Sequence, residues 1–176
     1  LTLFVILFAQ LAHANVGEIG QIQGSGVLER EGKIVIEGEV GAGVMSMDEA
    51  VTANGTMRID FVDETRVDIT EQSRLIIDEF VYDPANDIGS LSLKASLGTV
   101  RYASGQIAKK YKQNVKIRTP SATIGVRGTD FAMVVDEMGG SMITLLPSCD
   151  TAGMCYVGEI TVETDAGFVI LNQAFQ

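Results

Sequence analysis

Apolar and polar residues alternate along most of the chain, and glycine, asparagine or aspartate interrupts the alternation at short intervals. Met57, Ile59 and Phe61, for example, alternate with Arg58 and Asp60. A period of two is typical of a strand with one buried face, and no long stretch has the period of a helix. The pattern therefore predicts an all-β domain of short strands and Gly-rich turns.

The interruptions in this pattern predict where the chain turns. Asn54 and Gly55 are the clearest hairpin signal, because both residue types tolerate positive φ. A second hairpin is expected at residues 31–32, and residues 63–65 are expected to turn the chain between two strands. Repeated strand, turn, strand units with glycine corners favour a rolled or solenoid-like β domain over a Greek-key sandwich.

The most distinctive stretch is TPSATIGVRGTDF, residues 119–131. Pro120 has no N–H to donate to a sheet ladder, so it belongs at a strand start or a sheet corner. Gly125 and Gly128 flank the segment around Arg127, and their missing Cβ atoms permit a sharp bend or the close approach of another backbone layer. The stretch therefore predicts a strand, a tight Gly-Arg-Gly corner and a second strand.

Arg127 has two interpretations. In the functional one, it presents its planar guanidinium to a partner or an anion at a rigid corner. In the structural one, it lies across the corner and bonds backbone carbonyls or Asp130. The glycines on each side indicate tight packing and favour the structural interpretation.

The same stretch resembles the FecR domain family, whose signature is a Thr-Pro pair near its start and an Arg-Gly-Thr followed by an aromatic residue near its end. The likeness also covers residues 61–65, 73–75, 97–100 and 158–162, although Glu64 stands where the family commonly has glycine. The motif residues in this chain are Thr119, Pro120, Gly125, Arg127, Gly128, Thr129 and Phe131.

The resemblance implies a function in the bacterial cell envelope. FecR-type proteins are periplasmic sensors that receive a signal from an outer-membrane transporter and relay it across the inner membrane to a sigma factor. A cytoplasmic segment and a membrane helix, which that relay needs, are not visible in this sequence. We therefore expect a periplasmic or secreted, non-enzymatic interaction or regulatory module that binds an envelope protein.

The first residues have the features of an export signal. Residues 1–11 are apolar and uncharged, and residues 12–14, Ala-His-Ala, form a small-x-small cleavage pattern. The chain begins with Leu and lacks a basic region, so we expect an N-terminally truncated signal peptide at residues 1–14 and a FecR-like β domain at residues 15–176. The alternative is the second half of a transmembrane helix. With a cleaved signal, the mature form has no stable membrane span.

The formal charge of −10 argues against nucleic acid or an anionic membrane as a partner, because the field of the whole protein repels polyanions. One segment, residues 101–118, is basic nevertheless. It either docks an acidic partner, lipid A phosphates or an anionic glycan, or it is a solvated loop that offsets nearby acids. The candidate binding residues are Arg101, Lys109, Lys110, Tyr111, Lys112 and Lys116.

Few residues have the chemistry of a catalytic or metal site. Cys149 and Cys155 are close in sequence, which predicts a disulfide across a hairpin loop in an exported chain, with two free thiols as the alternative. The one histidine, His13, lies in the expected signal, so histidine-based catalysis and histidine-ligated metals are excluded and no cofactor is expected.

A second class of function, carbohydrate or peptidoglycan binding, requires aromatic side chains on one exposed face. Tyr82, Tyr102 and Tyr111 are the candidates for such a stacking platform.

Overall fold

The computed structural model describes residues 14–176, so the expected signal peptide lies outside the described residues except for Ala14. The described part consists almost entirely of strands. They are β1 (Gly17–Arg30), β2 (Lys33–Glu37), β3 (Gly43–Val44), β4 (Glu49–Phe61), β5 (Arg66–Ile69), β6 (Arg74–Asp83), β7 (Ile88–Ala103), β8 (Val115–Arg118), β9 (Thr123–Arg127), β10 (Asp130–Val135), β11 (Ser141–Leu146), β12 (Ser148–Cys149), β13 (Cys155–Tyr156), β14 (Glu159–Thr164) and β15 (Gly167–Leu171). One short helix, α1 (Gln106–Lys110), follows β7.

The all-β prediction is confirmed, and the strand pairing shows how the sheet is rolled. β4 pairs with β5 and β6, and β7 pairs with the same two strands, so these four strands close into a small barrel. The other strands are bonded outside it: β1, β2 and β3 beyond β4, and β8, β9, β14 and β15 beyond the first half of β7. β10 and β11 extend the sheet from the second half of β7. Within residues 14–176 there is no helix with the length and hydrophobicity needed to cross a bilayer.

Each long strand has an irregular position, and these positions lie next to one another on adjacent strands. Gly24 of β1 lies directly opposite Gly55 of β4, where the pairing of these strands shifts register. The backbone N–H of Gln72, in the break between β5 and β6, donates to the carbonyl of Ala53 at 2.9 Å. β7 is not interrupted beside these positions, but it contains Gly98 there, which has a φ of +89°. The irregular positions therefore form a line that runs from β1 across β4 and the break between β5 and β6 to β7, and we call it the fold line.

The sheet folds over along this line. Phe61 and Phe80 lie on opposite sides of it, and in a flat sheet of this register they would be roughly 40 Å apart. Their ring centroids are 5.4 Å apart and the rings are stacked. The two halves of the barrel therefore face each other, and the buried side chains of both halves form one continuous core.

The predicted turn at Asn54 and Gly55 is wrong, because both residues lie inside β4 at the fold line. A Cβ atom on Gly55 would lie 2.3 Å from the carbonyl oxygen of Gln23. Glycine is needed there for close approach of β1 rather than for a hairpin. The hairpin at residues 31–32 and the turn at residues 63–65 are confirmed, and Glu31 and Glu64 adopt positive φ in them.

We expect Gly98→Ala to lower the free energy of unfolding by about 3 kcal/mol, because alanine is strained at this φ and its Cβ would lie 2.6 Å from the Cα atom of Ser73. Chemical denaturation measures the loss. Gly125→Ala is the matched control, since Gly125 has open space around its missing Cβ and no positive φ. Equal stability of the two variants would contradict the fold line at Gly98.

Candidate functional site

The corner of the motif is smaller than the sequence indicated. β9 ends at Arg127 and β10 begins at Asp130, so only Gly128 and Thr129 form the connection. Gly128 has a φ of +63°, which favours glycine. The bend or close approach predicted at Gly125 is wrong, because Gly125 is an internal residue of β9 and no atom lies within 4 Å of its ideal Cβ position.

Thr129 joins the corner to three other parts of the chain. Its backbone N–H donates to Ser104 Oγ at 2.9 Å, and Ser104 Oγ donates to its carbonyl at 2.6 Å. Its hydroxyl donates to the carbonyl of Leu146 at the end of β11 and accepts from the N–H of Gly158, just before β14. Thr129 is fully buried, so these bonds also satisfy its polar atoms.

Asp130 extends the same hydrogen-bond network toward the surface. Its Oδ1 accepts from the backbone N–H of Ser104 and from the hydroxyl of Ser148, which precedes the first cysteine. Its Oδ2 lies 3.8 Å from the guanidinium of Arg101 on β7. Asp130 is only 8% exposed, so the corner holds a nearly buried carboxylate whose Oδ1 accepts two hydrogen bonds.

A second buried carboxylate fixes the start of α1. Asp63 accepts hydrogen bonds from the backbone N–H of Thr65, the hydroxyl of Thr65 and the backbone N–H of Ile107. The N–H of Gly105 donates to Thr65 Oγ1 at 3.2 Å, and the N–H of Gln106 donates to the carbonyl of Asp63 at 2.7 Å. The turn at residues 63–65 therefore supplies acceptors to N–H groups that α1 itself leaves unbonded.

The motif aromatic closes the core beneath the corner. Phe131 and Tyr102 are both fully buried, and their rings stack with centroids 5.3 Å apart. Within residues 14–176 the hydroxyl of Tyr102 has no hydrogen-bond partner, and burial raises the pKa of this phenol. Tyr102 is buried and so cannot belong to the expected stacking platform, while Tyr82 and Tyr111 are half-buried against the core.

The two cysteines form the predicted disulfide. Cys149 in β12 is bonded to Cys155 in β13, and the two short strands pair as a hairpin. The hairpin carries Tyr156, whose side chain is 47% exposed. Because Ser148 is bonded to Asp130, the hairpin is attached directly to the motif corner.

A polar groove of about 420 Å³ lies between this hairpin, α1 and the ends of β5 and β7, and we call it the corner groove. Its walls carry charges of both signs. The bases are Arg66, Arg101 and Lys109, and the acids are Glu64, Asp68, Asp130 and Asp150. Two predicted binding residues, Arg101 and Lys109, thus meet beside Asp130 of the corner.

The other residues of the basic segment do not join this groove. Lys110 pairs with Asp87 and lies over the ring of Tyr111, and the hydrogen bond to Asp87 raises the pKa of Lys110. Lys112 and Lys116 are exposed on another part of the surface and make no ion pair within residues 14–176. The segment is therefore not a single basic patch.

Arg127 does not bond backbone carbonyls or Asp130, so its predicted partners are wrong. Its Nη1 lies 2.7 Å from Glu159 Oε1. Arg127 and Glu159 are direct register partners in β9 and β14, which places their outward side chains next to each other. Arg127 is therefore part of an exposed cross-strand ion pair.

Sequence analysis missed Asp63, Thr65 and Ser104 as parts of the site. An Asp followed two residues later by Thr was a usable signal, because this spacing favours a side-chain-capped turn. Nothing comparable marks Ser104, because its bonds join it to residues far along the chain.

The candidate site is thus a buried Thr-Asp corner that hydrogen bonds join to distant strands of the folded-over β domain. A family model described as FecR protein matches residues 48–147, which contain the fold line from β4 to β7, α1 and the motif corner. The chain belongs to the FecR protein family. No curated protein and no solved structure matches it.

We expect Asp63→Asn to lower the free energy of unfolding by about 2 to 3 kcal/mol, because the new amide turns one acceptor into a donor facing buried N–H groups. Urea denaturation and hydrogen exchange of the α1 amides measure the effect. Asp83→Asn is the control, since Asp83 also caps a turn but on the surface. A loss at Asp63 no larger than at Asp83 would contradict the role assigned to Asp63.

Proposed function

We propose that this chain is a non-enzymatic interaction module of the bacterial cell envelope and that it binds a protein partner in the corner groove. The observation that carries the proposal is that the groove brings the family's motif corner, two residues of the basic segment and the disulfide hairpin together. Membership of a family of envelope regulators supports the same class of function.

The charges of the groove favour a polar protein surface as the partner. Lys109 is exposed and makes no ion pair within the described residues, while the guanidinium of Arg101 is 3.8 Å from Asp130 and only loosely held. Asp68 and Asp150 supply acids on the facing walls. Mixed charges give specificity to a protein interface, whereas small-molecule sites are mostly apolar.

Two acids of the groove accept structural hydrogen bonds, which supports a non-enzymatic role. Asp130 accepts from Ser104 and Ser148, and Glu64 accepts from the side chain of Gln106. Residues 14–176 contain no histidine, since the one histidine of the chain is His13. Within residues 14–176 the groove therefore has no histidine that could act as a base beside a nucleophile.

A periplasmic or secreted location is part of this proposal. The disulfide between Cys149 and Cys155 supports it, because such bonds persist in oxidising compartments. The hairpin that the disulfide closes is a wall of the groove, so the oxidising compartment also preserves the shape of the proposed site.

The proposal predicts a site-specific contact. A photo-crosslinking amino acid in place of Lys109 is expected to give one adduct of defined mass in intact envelopes, and Arg101→Glu in the same chain is expected to reduce the yield about tenfold. Mass spectrometry identifies the adduct. The matched control carries the crosslinker in place of Lys33, an exposed lysine of β2 that also makes no ion pair within residues 14–176.

Equal adducts at the two positions would contradict binding in the groove. Retention of the chain on purified peptidoglycan, unaffected by Arg101→Glu, would instead support the carbohydrate-binding alternative.

A further inference from the structure

The open edges of the sheet differ in how they are protected from pairing with another strand. The edge of β11 is bonded by residues near position 176, since the N–H of Leu145 donates to the carbonyl of Gln176 and the N–H of Phe175 donates to the carbonyl of Leu145. The edge strand β2 begins with Lys33 and ends with Glu37, and charges on an edge discourage pairing with other chains.

The edge strand β15 has neither protection. Its sequence, GFVIL, has no charge and no proline, and within residues 14–176 it pairs with β14 alone. One row of its backbone N–H and C=O groups is therefore left for another strand.

Side chains of β15 are exposed on both faces of the sheet. Phe168, Val169 and Ile170 are 71%, 49% and 42% exposed. Val169 lies opposite Val162, which is nearly buried, so Val169 belongs to the face that continues the core. One more strand beside β15 would cover Val169 on that face and contact Phe168 on the other.

The surroundings of β15 indicate the charge of the segment that would pair with it. Glu163 lies directly opposite Phe168, and Asp165 is in the turn that leads into β15. Neither acid makes an ion pair within residues 14–176. In a chain with a formal charge of −10, this edge favours a basic segment.

The area of the edge argues against a second copy of the chain as the occupant. The exposed parts of Phe168, Val169 and Ile170 amount to roughly 300 Å², whereas a stable interface buries roughly 800 Å² on each partner. An extended segment needs less area, because its affinity comes from main-chain hydrogen bonds as well as side-chain contacts.

We propose that β15 binds an extended, basic and alternately apolar segment of a partner protein, which adds a strand to the sheet. The inference deepens the proposed function by naming the chemistry of a partner segment. It concerns a separate surface, since none of the residues that line the corner groove belongs to β14 or β15.

The test uses a fluorescent peptide of alternating valine and threonine with lysine at each end. We expect saturable binding to the purified chain by fluorescence anisotropy. The same peptide with alternate backbone nitrogens methylated should bind about tenfold more weakly, because it cannot complete the strand ladder. This comparison leaves the protein unchanged.

Two protein variants locate the binding. Phe168→Lys should weaken binding about tenfold, because it places a cation next to the basic peptide on the edge. Ile34→Lys is the matched control, because Ile34 is a similarly exposed apolar residue of another edge strand, β2, and its replacement should leave binding unchanged. Denaturation curves of both variants verify that they are folded.

Several results would overturn the inference: no binding, equal binding of the methylated peptide, or equal weakening by the two variants. A concentration-dependent dimer in ultracentrifugation that Phe168→Lys abolishes would identify a second copy as the occupant instead. Failure of the proposed function is measured separately, by crosslinking at Lys109, which does not depend on peptide binding.

Discussion

The hydrogen bonds of Ser104 to Thr129 are the constraint on which the rest of the site depends. Between β9 and β10 the chain leaves the strands bonded to the first half of β7 and joins those bonded to the second half. Only Gly128 and Thr129 connect the two sets of strands, so residues elsewhere in the chain must fix the position of the corner. Ser104 holds it from the end of β7, and Asp130 extends the network to Ser148 and the disulfide hairpin.

The corner network and the fold line depend on each other through Tyr102. Its ring stacks on Phe131 under the corner, while Gly98, four residues earlier in the same strand, lets β7 cross the fold line. The aromatic pair therefore packs β10, which follows the corner, against the second half of β7. Because the pair is buried, Tyr102 is not available on the surface for ligand stacking, and Phe131 of the motif has a structural role.

The two surfaces proposed for partner binding differ in their chemistry. The corner groove is polar and of mixed charge, and the edge of β15 is apolar with acids beside it. The groove lies between the disulfide hairpin, α1 and the ends of β5 and β7, and the edge lies where the outer sheet stops. Under the proposed function, the two surfaces would contact different parts of one protein partner.

The sequence by itself determined the all-β class, most turns, the disulfide and the family, because these depend on local alternation, turn chemistry and short motifs. Tertiary structure alone decided that Gly55 serves close approach instead of a hairpin and that Arg127 pairs with Glu159. It also decided which lysines of the basic segment reach the corner groove. The physical reason is register: the partner of a strand residue is set by pairing between segments far apart in the chain, and no local pattern records it.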